Sequence, residues 1–164
     1  MKKTKLTIYA VAIAFTFIGL ISCNKRERDG SYQELNSNLI FPKGKKNTTN
    51  NFTGKVWLNN LVQADTANKT AVGSVTFEPE ARTKWHIHPA GQIILALEGK
   101  GYYQEKGSLK VVVKKGDVIK CPANIPHWHG AASDTKFIQV AITGREKGET
   151  VWLESVTDKE YNEL

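Results

Sequence analysis

Short apolar runs separated by turn residues are the feature that most constrains the fold of this chain. From Gly54 onward, runs rich in Val, Ile, Trp and Phe alternate with Gly, Pro, Asn and Lys. Because no helical pattern lies between these runs, they predict an all-β sandwich or barrel. The expected strands are Val56–Val62, Gly73–Phe77, Lys84–His88, Gln92–Glu98, Gly101–Gln104, Leu109–Val113, Asp117–Cys121, His127–Ala131, Lys136–Thr143 and Thr150–Leu153.

The C-terminal tail carries the one good helix signal. Thr157 is followed three residues later by Glu160, which is the form of a capping box. In that motif the two side chains satisfy backbone N–H groups at the start of a helix. We therefore expect a short terminal helix that begins after Thr157.

The four histidines of the chain form two His-x-His pairs, His86/His88 and His127/His129. Residues i and i+2 of a strand point to the same face of the sheet, so each pair projects two imidazoles into one space. Imidazole nitrogen is a good ligand for zinc, copper, iron and nickel. The spacing therefore predicts a metal site inside the barrel.

The residues around both pairs resemble the two motifs of the cupin family. The first motif is Gly, five residues, His-x-His, three or four residues, Glu, six residues, Gly. Here it runs from Glu80 through His86, His88 and Gln92 to Gly99. The spacing agrees, but Glu80 stands where the motif has Gly, and Gln92 stands where it has Glu.

The second cupin motif is Gly, five residues, Pro-x-Gly, two residues, His, three residues, Asn. Here it runs from Gly116 through Pro122, Asn124 and His127 to Ala131, again with matching spacing. Asn124 replaces a Gly, and Ala131 replaces the final Asn. The resemblance covers about residues 54–144 and implies a double-stranded β-helix, or jelly-roll, barrel.

A narrower resemblance concerns a bacterial subgroup of small single-domain cupins whose fourth ligand is Gln. The segments that carry it include Trp85–Gln92 and Pro126–Gly130. Members resemble carboxymuconolactone decarboxylases or quercetin dioxygenases, and some are manganese-dependent hydroxynitrile lyases. The resemblance implies one divalent metal ion on His86, His88, Gln92 and His127. Manganese is the first choice, and iron, zinc and nickel are alternatives.

The implied ligands are all neutral, so a bound divalent ion would keep its full positive charge. Such a centre favours anionic ligands and Lewis-acid chemistry over oxidation. Three hypotheses stay open: a redox-neutral lyase or isomerase of the hydroxynitrile-lyase type, a cupin dioxygenase, and a non-catalytic metal- or ligand-binding protein at the membrane surface. The expected partner is a small-molecule substrate, with anionic compounds among the candidates.

His129 shares strand parity with His127 and is the candidate catalytic proton carrier, because imidazole titrates near neutrality. The alternative is a supporting hydrogen bond to a ligand. Arg82 and Lys84 share parity with His86, and they either bind an anionic substrate or lie in solvent at the barrel rim. Cys121, in an apolar run, is expected to be a buried small residue.

The N-terminus has the form of a bacterial lipoprotein signal. Residues 1–22 combine three lysines with an apolar run and read as a signal peptide. The segment Leu20-Ile21-Ser22-Cys23 resembles the bacterial lipobox, so Cys23 is the expected lipidation site. The alternative is an uncleaved N-terminal anchor helix. Residues 23–53 are expected to form a lipidated polar linker, and residues 54–164 the cupin domain. This predicts an extracytoplasmic protein, anchored by lipid in the bacterial cell envelope and facing the periplasm or the surface.

The basic character of the chain does not belong to its domain. The formal net charge is +7, but residues 56–164 contain thirteen basic and thirteen acidic side chains. Since nucleic-acid binding requires a basic face on the domain, we expect no nucleic-acid partner. The resemblance to cupins implies a homodimer.

Overall fold

A computed structural model describes residues 39–163 of the chain. The predicted signal peptide, Cys23 and the first part of the predicted linker lie outside the described residues. Within residues 39–163, no helix is both long enough and apolar enough to cross a membrane.

The described residues form twelve strands and one short helix, and every strand pairing among them is antiparallel. The elements are β1 Lys45–Lys46, β2 Phe52–Thr53, β3 Val56–Val62, β4 Thr70–Phe77, β5 Arg82–Thr83, β6 His86–Ile87, β7 Gln92–Glu105, β8 Val111–Lys114, β9 Val118–Cys121, β10 His127–Ala131, β11 Phe137–Gly144, β12 Val151–Trp152 and α1 Asp158–Asn162. The predicted all-β class with a short C-terminal helix is confirmed.

The strands form two sheets that share the long strand β7. The first sheet has the order β1-β3-β4-β11-β7-β9. The second has the order β2-β5-β10-β7-β8, and β6 joins it between β10 and β12. Because one strand belongs to both sheets, the sheet curls around a common interior.

Strand β7 is continuous where the sequence predicted two strands with a break at residues 99–100. Gly99 has φ = 78°, and a β-carbon there would stand 1.9 Å from the carbonyl oxygen of Lys136. Glycine therefore lets the strand bend and pass from β11 to β10 without ending. The predicted break at residues 99–100 is therefore a bend within one strand.

The folded part begins earlier than the boundary expected at residue 54. Strand β1 pairs with β3, placing Lys45 opposite Leu58. Strand β2 pairs with β5, and Phe52 packs against the hydrophobic core. Each of these strands is only two residues long and is flanked by polar residues. Neither therefore shows the apolar pattern from which a strand is predicted.

The predicted strand Lys84–His88 is also shorter than expected. Its regular pairing is limited to β6, because the backbone N–H of Lys84 donates to Asn51 and that of Trp85 donates to Glu154. His88 follows the end of β6. The backbone of this segment therefore forms hydrogen bonds with several different segments rather than with a single neighbouring strand.

Apolar side chains fill the interior between the two sheets below the histidines. The buried core consists of Val56, Val75, Phe77, Ala81, Ile94, Ala96, Tyr103, Val113, Cys121, Ala131 and Phe137. Burial of this cluster stabilises the barrel, by about 25 cal/mol per Å² of apolar surface removed from water.

Helix α1 covers the outer face of the second sheet. Its predicted capping box is present, since the Thr157 hydroxyl accepts from the Glu160 N–H, and the Glu160 carboxylate accepts from the Thr157 N–H. Tyr161 packs with Trp85 and Trp128 in a second buried cluster, and its hydroxyl donates to the carbonyl of Ala131. This places the helix away from the histidines.

In the part of the chain that the structure describes, two residues other than glycine have left-handed backbone angles: Glu80 with φ = 66° and Asn124 with φ = 61°. These are two of the positions at which the cupin motifs have Gly. The backbone therefore keeps the conformation that glycine favours, although the side chain differs. Asn tolerates this region better than Glu does.

Candidate metal centre

The predicted site residues come from three neighbouring elements at one end of the barrel. His86 lies on β6 and pairs directly with His127, the first residue of β10. His88 follows β6, and Gln92 is the first residue of β7. Antiparallel pairing thus brings residues that are 41 positions apart in number to the same point.

Three imidazoles converge there. One ligand atom each from His86, His88 and His127 lies within 4.8 Å of those of the other two. Ring centroids are 4.4 Å apart for His86 and His127, 4.9 Å for His86 and His88, and 5.4 Å for His88 and His127. All three side chains are almost completely buried.

Hydrogen bonds set the proton position on two of these rings. His86 Nδ1 lies 2.9 Å from the carbonyl oxygen of Lys84, and His127 Nδ1 lies 2.9 Å from that of Ile125. A carbonyl only accepts, so each Nδ1 carries the hydrogen and each Nε2 keeps a lone pair. This is the tautomer that a metal ligand needs.

Burial keeps the three rings neutral. It lowers the pKa of His86 well below its usual range, and the neighbouring imidazoles of His127, His129 and His88 lower that pKa further. Burial, followed by the charges of His127 and Arg145, lowers the pKa of His88 to about 3. Burial also lowers the pKa of His127.

The donor set fits a divalent metal ion. The Nε2 atoms of His88 and His127 are buried and have no hydrogen-bond partner among the described residues. Unpaired buried polar atoms are costly, so a cluster of them implies a group that satisfies them. Three neutral imidazole nitrogens facing one another provide the ligands that transition metals accept.

Gln92 lies beside the three histidines and is buried. Its Nε2 donates to the hydroxyl of Thr143 at 2.9 Å, and its Oε1 lies 3.9 Å from the thiol of Cys121. The hydroxyl of Thr143 therefore holds the amide by its nitrogen end, which leaves Oε1 with only a weak thiol donor. Its role as a fourth ligand stays a prediction.

His129 is adjacent to the three-histidine group without belonging to it. Its ring centroid lies 5.3 Å from that of His86 and 6.3 Å from that of His127. Its Nδ1 is buried and has no hydrogen-bond partner within residues 39–163, and burial lowers the pKa of this histidine well below the usual range. The edge contact with Phe77 fixes one side of the ring.

A cavity of about 450 Å³ opens onto this group. His86, His88, Gln92 and His129 are among its lining residues. An apolar wall is formed by Phe52, Leu58, Val62, Val72, Val75 and Trp152. The space suits a small organic molecule with an apolar part and one polar end.

Several residues of this cavity were not predicted from the sequence. Arg145 and Thr150 line it, and so do Asn47 and Asn51 from the predicted linker. Thr150 and Trp152 are two positions apart in the predicted strand Thr150–Leu153, so strand alternation places their side chains on one face. That strand reaches the cavity because it pairs with β6. No local sequence pattern predicts this pairing.

Other candidate residues lie elsewhere. Arg82 is buried, but it donates to Asp158 and to the carbonyl of Val156 under helix α1, so it does not line the cavity. Lys84 does not line the cavity either. Cys121 is buried as expected, and burial raises the pKa of its thiol to about 12.

Comparison with known proteins identifies related sequences and structures. The family profile of the cupin domain matches residues 73–143. The (R)-mandelonitrile lyase of Granulicella tundricola is 43% identical over 111 residues, which cover 67% of this chain and 85% of the lyase. An acireductone dioxygenase of Alcanivorax borkumensis is 28% identical over 75 residues and matches over only 40% of its length.

Among solved structures, a cupin-like protein of Thermotoga maritima superposes with a TM-score of 0.73 at 46% identity. The match covers 75% of this chain and 94% of the Thermotoga chain. The curled barrel is therefore shared across nearly the whole length of that protein.

Proposed function

The chain belongs to the cupin family, and on that premise we propose that it is a metal-dependent lyase acting on small hydroxynitrile-type substrates. The observation that carries the proposal is the convergence of three neutral imidazoles at a substrate-sized cavity, two of which, those of His88 and His127, have a buried Nε2 without a hydrogen-bond partner among the described residues. The identity to a protein named as a mandelonitrile lyase supports the choice of reaction class.

In this proposal His86, His88 and His127 hold one divalent ion, manganese by preference. Gln92 is proposed as the fourth ligand, because it lines the same cavity and carries an amide oxygen without a strong donor. Three imidazoles and an amide add no negative charge, so an ion bound there would act as a Lewis acid toward a substrate oxygen or cyanide.

His129 is proposed as the proton carrier. Cleavage of a hydroxynitrile removes the hydroxyl proton, breaks the carbon–carbon bond and leaves an aldehyde and cyanide. His129 would accept the hydroxyl proton and return it to cyanide, so that hydrogen cyanide leaves. Burial disfavours its charged form, so protonation needs the negative charge that develops on the departing group beside it.

The apolar wall determines the type of substrate. Phe52 and Trp152 are in contact, with ring centroids 5.7 Å apart, and the Trp152 ring lies 4.9 Å from that of His86. An apolar or aromatic substituent can pack there while the hydroxyl end faces the histidines. We therefore expect aromatic hydroxynitriles to be better substrates than small aliphatic ones.

The test combines metal analysis with an assay on a chain beginning at residue 24. We expect about one manganese, iron or zinc ion per chain, loss of that ion in His86→Ala, and release of benzaldehyde and cyanide from mandelonitrile. Oxygen consumption with candidate substrates would instead indicate a dioxygenase, the function suggested by the acireductone dioxygenase relative. Bound metal without turnover of any substrate would indicate a binding protein.

We also propose the cellular setting that the sequence predicts: export, lipidation at Cys23 and a homodimer. Lipidation is tested by incorporation of labelled fatty acid, which Cys23→Ser should abolish. The mass of the chain lacking its leader in solution tests the dimer.

A further inference from the structure

The three histidines of the metal centre are oriented in two different ways. His86 and His127 each donate Nδ1–H to a carbonyl two residues earlier in their own chain segment. His88 has no such bond. Its Nδ1 lies 3.1 Å from the hydroxyl of Thr150, which is 62 residues away in the sequence.

Strand pairing explains why Thr150 stands at this position. In the antiparallel pair of β6 and β12, Ile87 lies opposite Val151 and His86 lies opposite Trp152. Continuing this register by one residue places Thr150 opposite His88. The contact therefore follows from the same pairing that positions His86.

Thr150 is itself held by a charged side chain. Arg145 Nη1 donates to Thr150 Oγ1 at 2.9 Å, and its guanidinium forms an ion pair with Glu149 at 3.1 Å. Arginine can only donate, so the Thr150 oxygen is the acceptor in this bond. A second lone pair on that oxygen is then available to His88.

The hydrogen on His88 can lie on either nitrogen, and only one arrangement permits metal binding. If His88 Nδ1–H donates to Thr150, the Nε2 lone pair is free to bind a metal. If the Thr150 hydroxyl donates to Nδ1, the hydrogen lies on Nε2 and blocks that atom. The direction of the hydrogen bond between Thr150 and His88 therefore decides whether His88 Nε2 can bind a metal.

We propose that Thr150 is the positioning residue that holds His88 in its metal-binding tautomer, with Arg145 holding Thr150 in place. This inference rests on the proposed metal-dependent function. Partners of this kind fix the ring orientation of ligating histidines, and their loss typically weakens metal binding about 10–100-fold.

The test measures Mn²⁺ affinity by competition with a chelator on the chain beginning at residue 24. We expect Thr150→Val to weaken binding by about 10–100-fold. Thr150→Ser, which keeps the hydroxyl, should bind within about twofold of the wild type. Thr135→Val is the matched control, because its hydroxyl donates only to the carbonyl of Lys136 among the described residues.

A spectroscopic measurement separates positioning from a general structural effect. In the metal-free protein, ¹⁵N NMR of the histidine rings should show the Nδ1–H tautomer of His88 in the wild type and in Thr150→Ser. A mixture of tautomers is expected in Thr150→Val. If that variant does not fold, Thr150→Ala is measured in its place.

Two results would overturn the inference, and only one of them would also overturn the proposed function. If Thr150→Val binds Mn²⁺ as tightly as the wild type while His86→Ala does not bind, the positioning role is wrong and the metal centre stands. If the wild type itself binds no metal after reloading, both this inference and the proposed function are overturned.

Discussion

His86 and His127 lie directly opposite each other on neighbouring antiparallel strands, with their ring centroids 4.4 Å apart. Each ring donates its Nδ1–H to a carbonyl two residues earlier in the chain. Strand pairing and these two hydrogen bonds therefore orient two of the three proposed ligands without a bound metal. Such preorganisation reduces the ordering that metal binding must impose.

The stability of the metal-free protein should fall as the pH is lowered below 6.5. Burial depresses the pKa values of all four histidines, that of His88 to about 3 from an ordinary value of 6.5. Between these values the unfolded state binds more protons, so the free energy of unfolding decreases as pH falls. At pH 5.5 the loss should be about 1 kcal/mol from His88 alone, and the other three histidines should add to it.

Denaturant unfolding at pH 7 and pH 5.5 measures this loss, and His129→Asn should make the loss smaller, because it removes one histidine whose pKa burial lowers. Equal free energies of unfolding at the two pH values would show that the histidines titrate normally in the folded state.

Replacement of His129 should separate catalysis from metal binding. His129→Ala is expected to keep the metal, because the three converging nitrogens belong to other residues. Loss of a positioned proton carrier should lower turnover of mandelonitrile by about 10²–10⁴-fold. Metal content and kcat are measured on the same sample, and unchanged turnover would remove His129 from the proposed mechanism.

Gln139 should destabilise the barrel. Its side chain is fully buried, and neither its Nε2 nor its Oε1 has a hydrogen-bond partner among the described residues. Gln139→Leu removes this unpaired amide and should raise the free energy of unfolding by about 1–3 kcal/mol. Gln63→Leu, at an exposed position, is the control. A destabilised Gln139→Leu would indicate that the amide has a partner, such as a buried water molecule.

Glycine at position 80 should stabilise the fold. Glu80 has φ = 66° and an exposed side chain, and a left-handed backbone costs a residue other than glycine about 1–2 kcal/mol. We expect Glu80→Gly to raise the thermal midpoint, whereas Glu146→Gly, at an exposed residue without positive φ, should not raise it. A lower midpoint for Glu80→Gly would contradict this account.

The thiol of Cys121 should be unreactive in the folded protein. Burial raises its pKa to about 12, so the thiolate is scarce at neutral pH. In a chain beginning at residue 24, which has no other cysteine, a thiol reagent should label the protein only after denaturation. Rapid labelling of the native protein would show that the core opens around β9.

The sequence alone determined the class of the fold, because that depends on local patterns. Alternating short apolar runs predicted the strands, and Thr157 with Glu160 predicted the start of helix α1. The spacing of His127 and His129 placed both on one face of β10, where their rings now stack. Such features involve residues close together in the chain, so periodicity and capping chemistry reveal them.

Tertiary structure decided what surrounds the histidines. The alignment of β6 with β12 brings Thr150 to His88, and the pairing of β2 with β5 brings part of the predicted linker to the cavity. Arg82, which strand parity allowed in the interior, instead reaches helix α1. These contacts join segments that are far apart in the sequence. They form because the barrel closes around its core. The two-residue strands among them are stable only when they pair with a neighbouring strand.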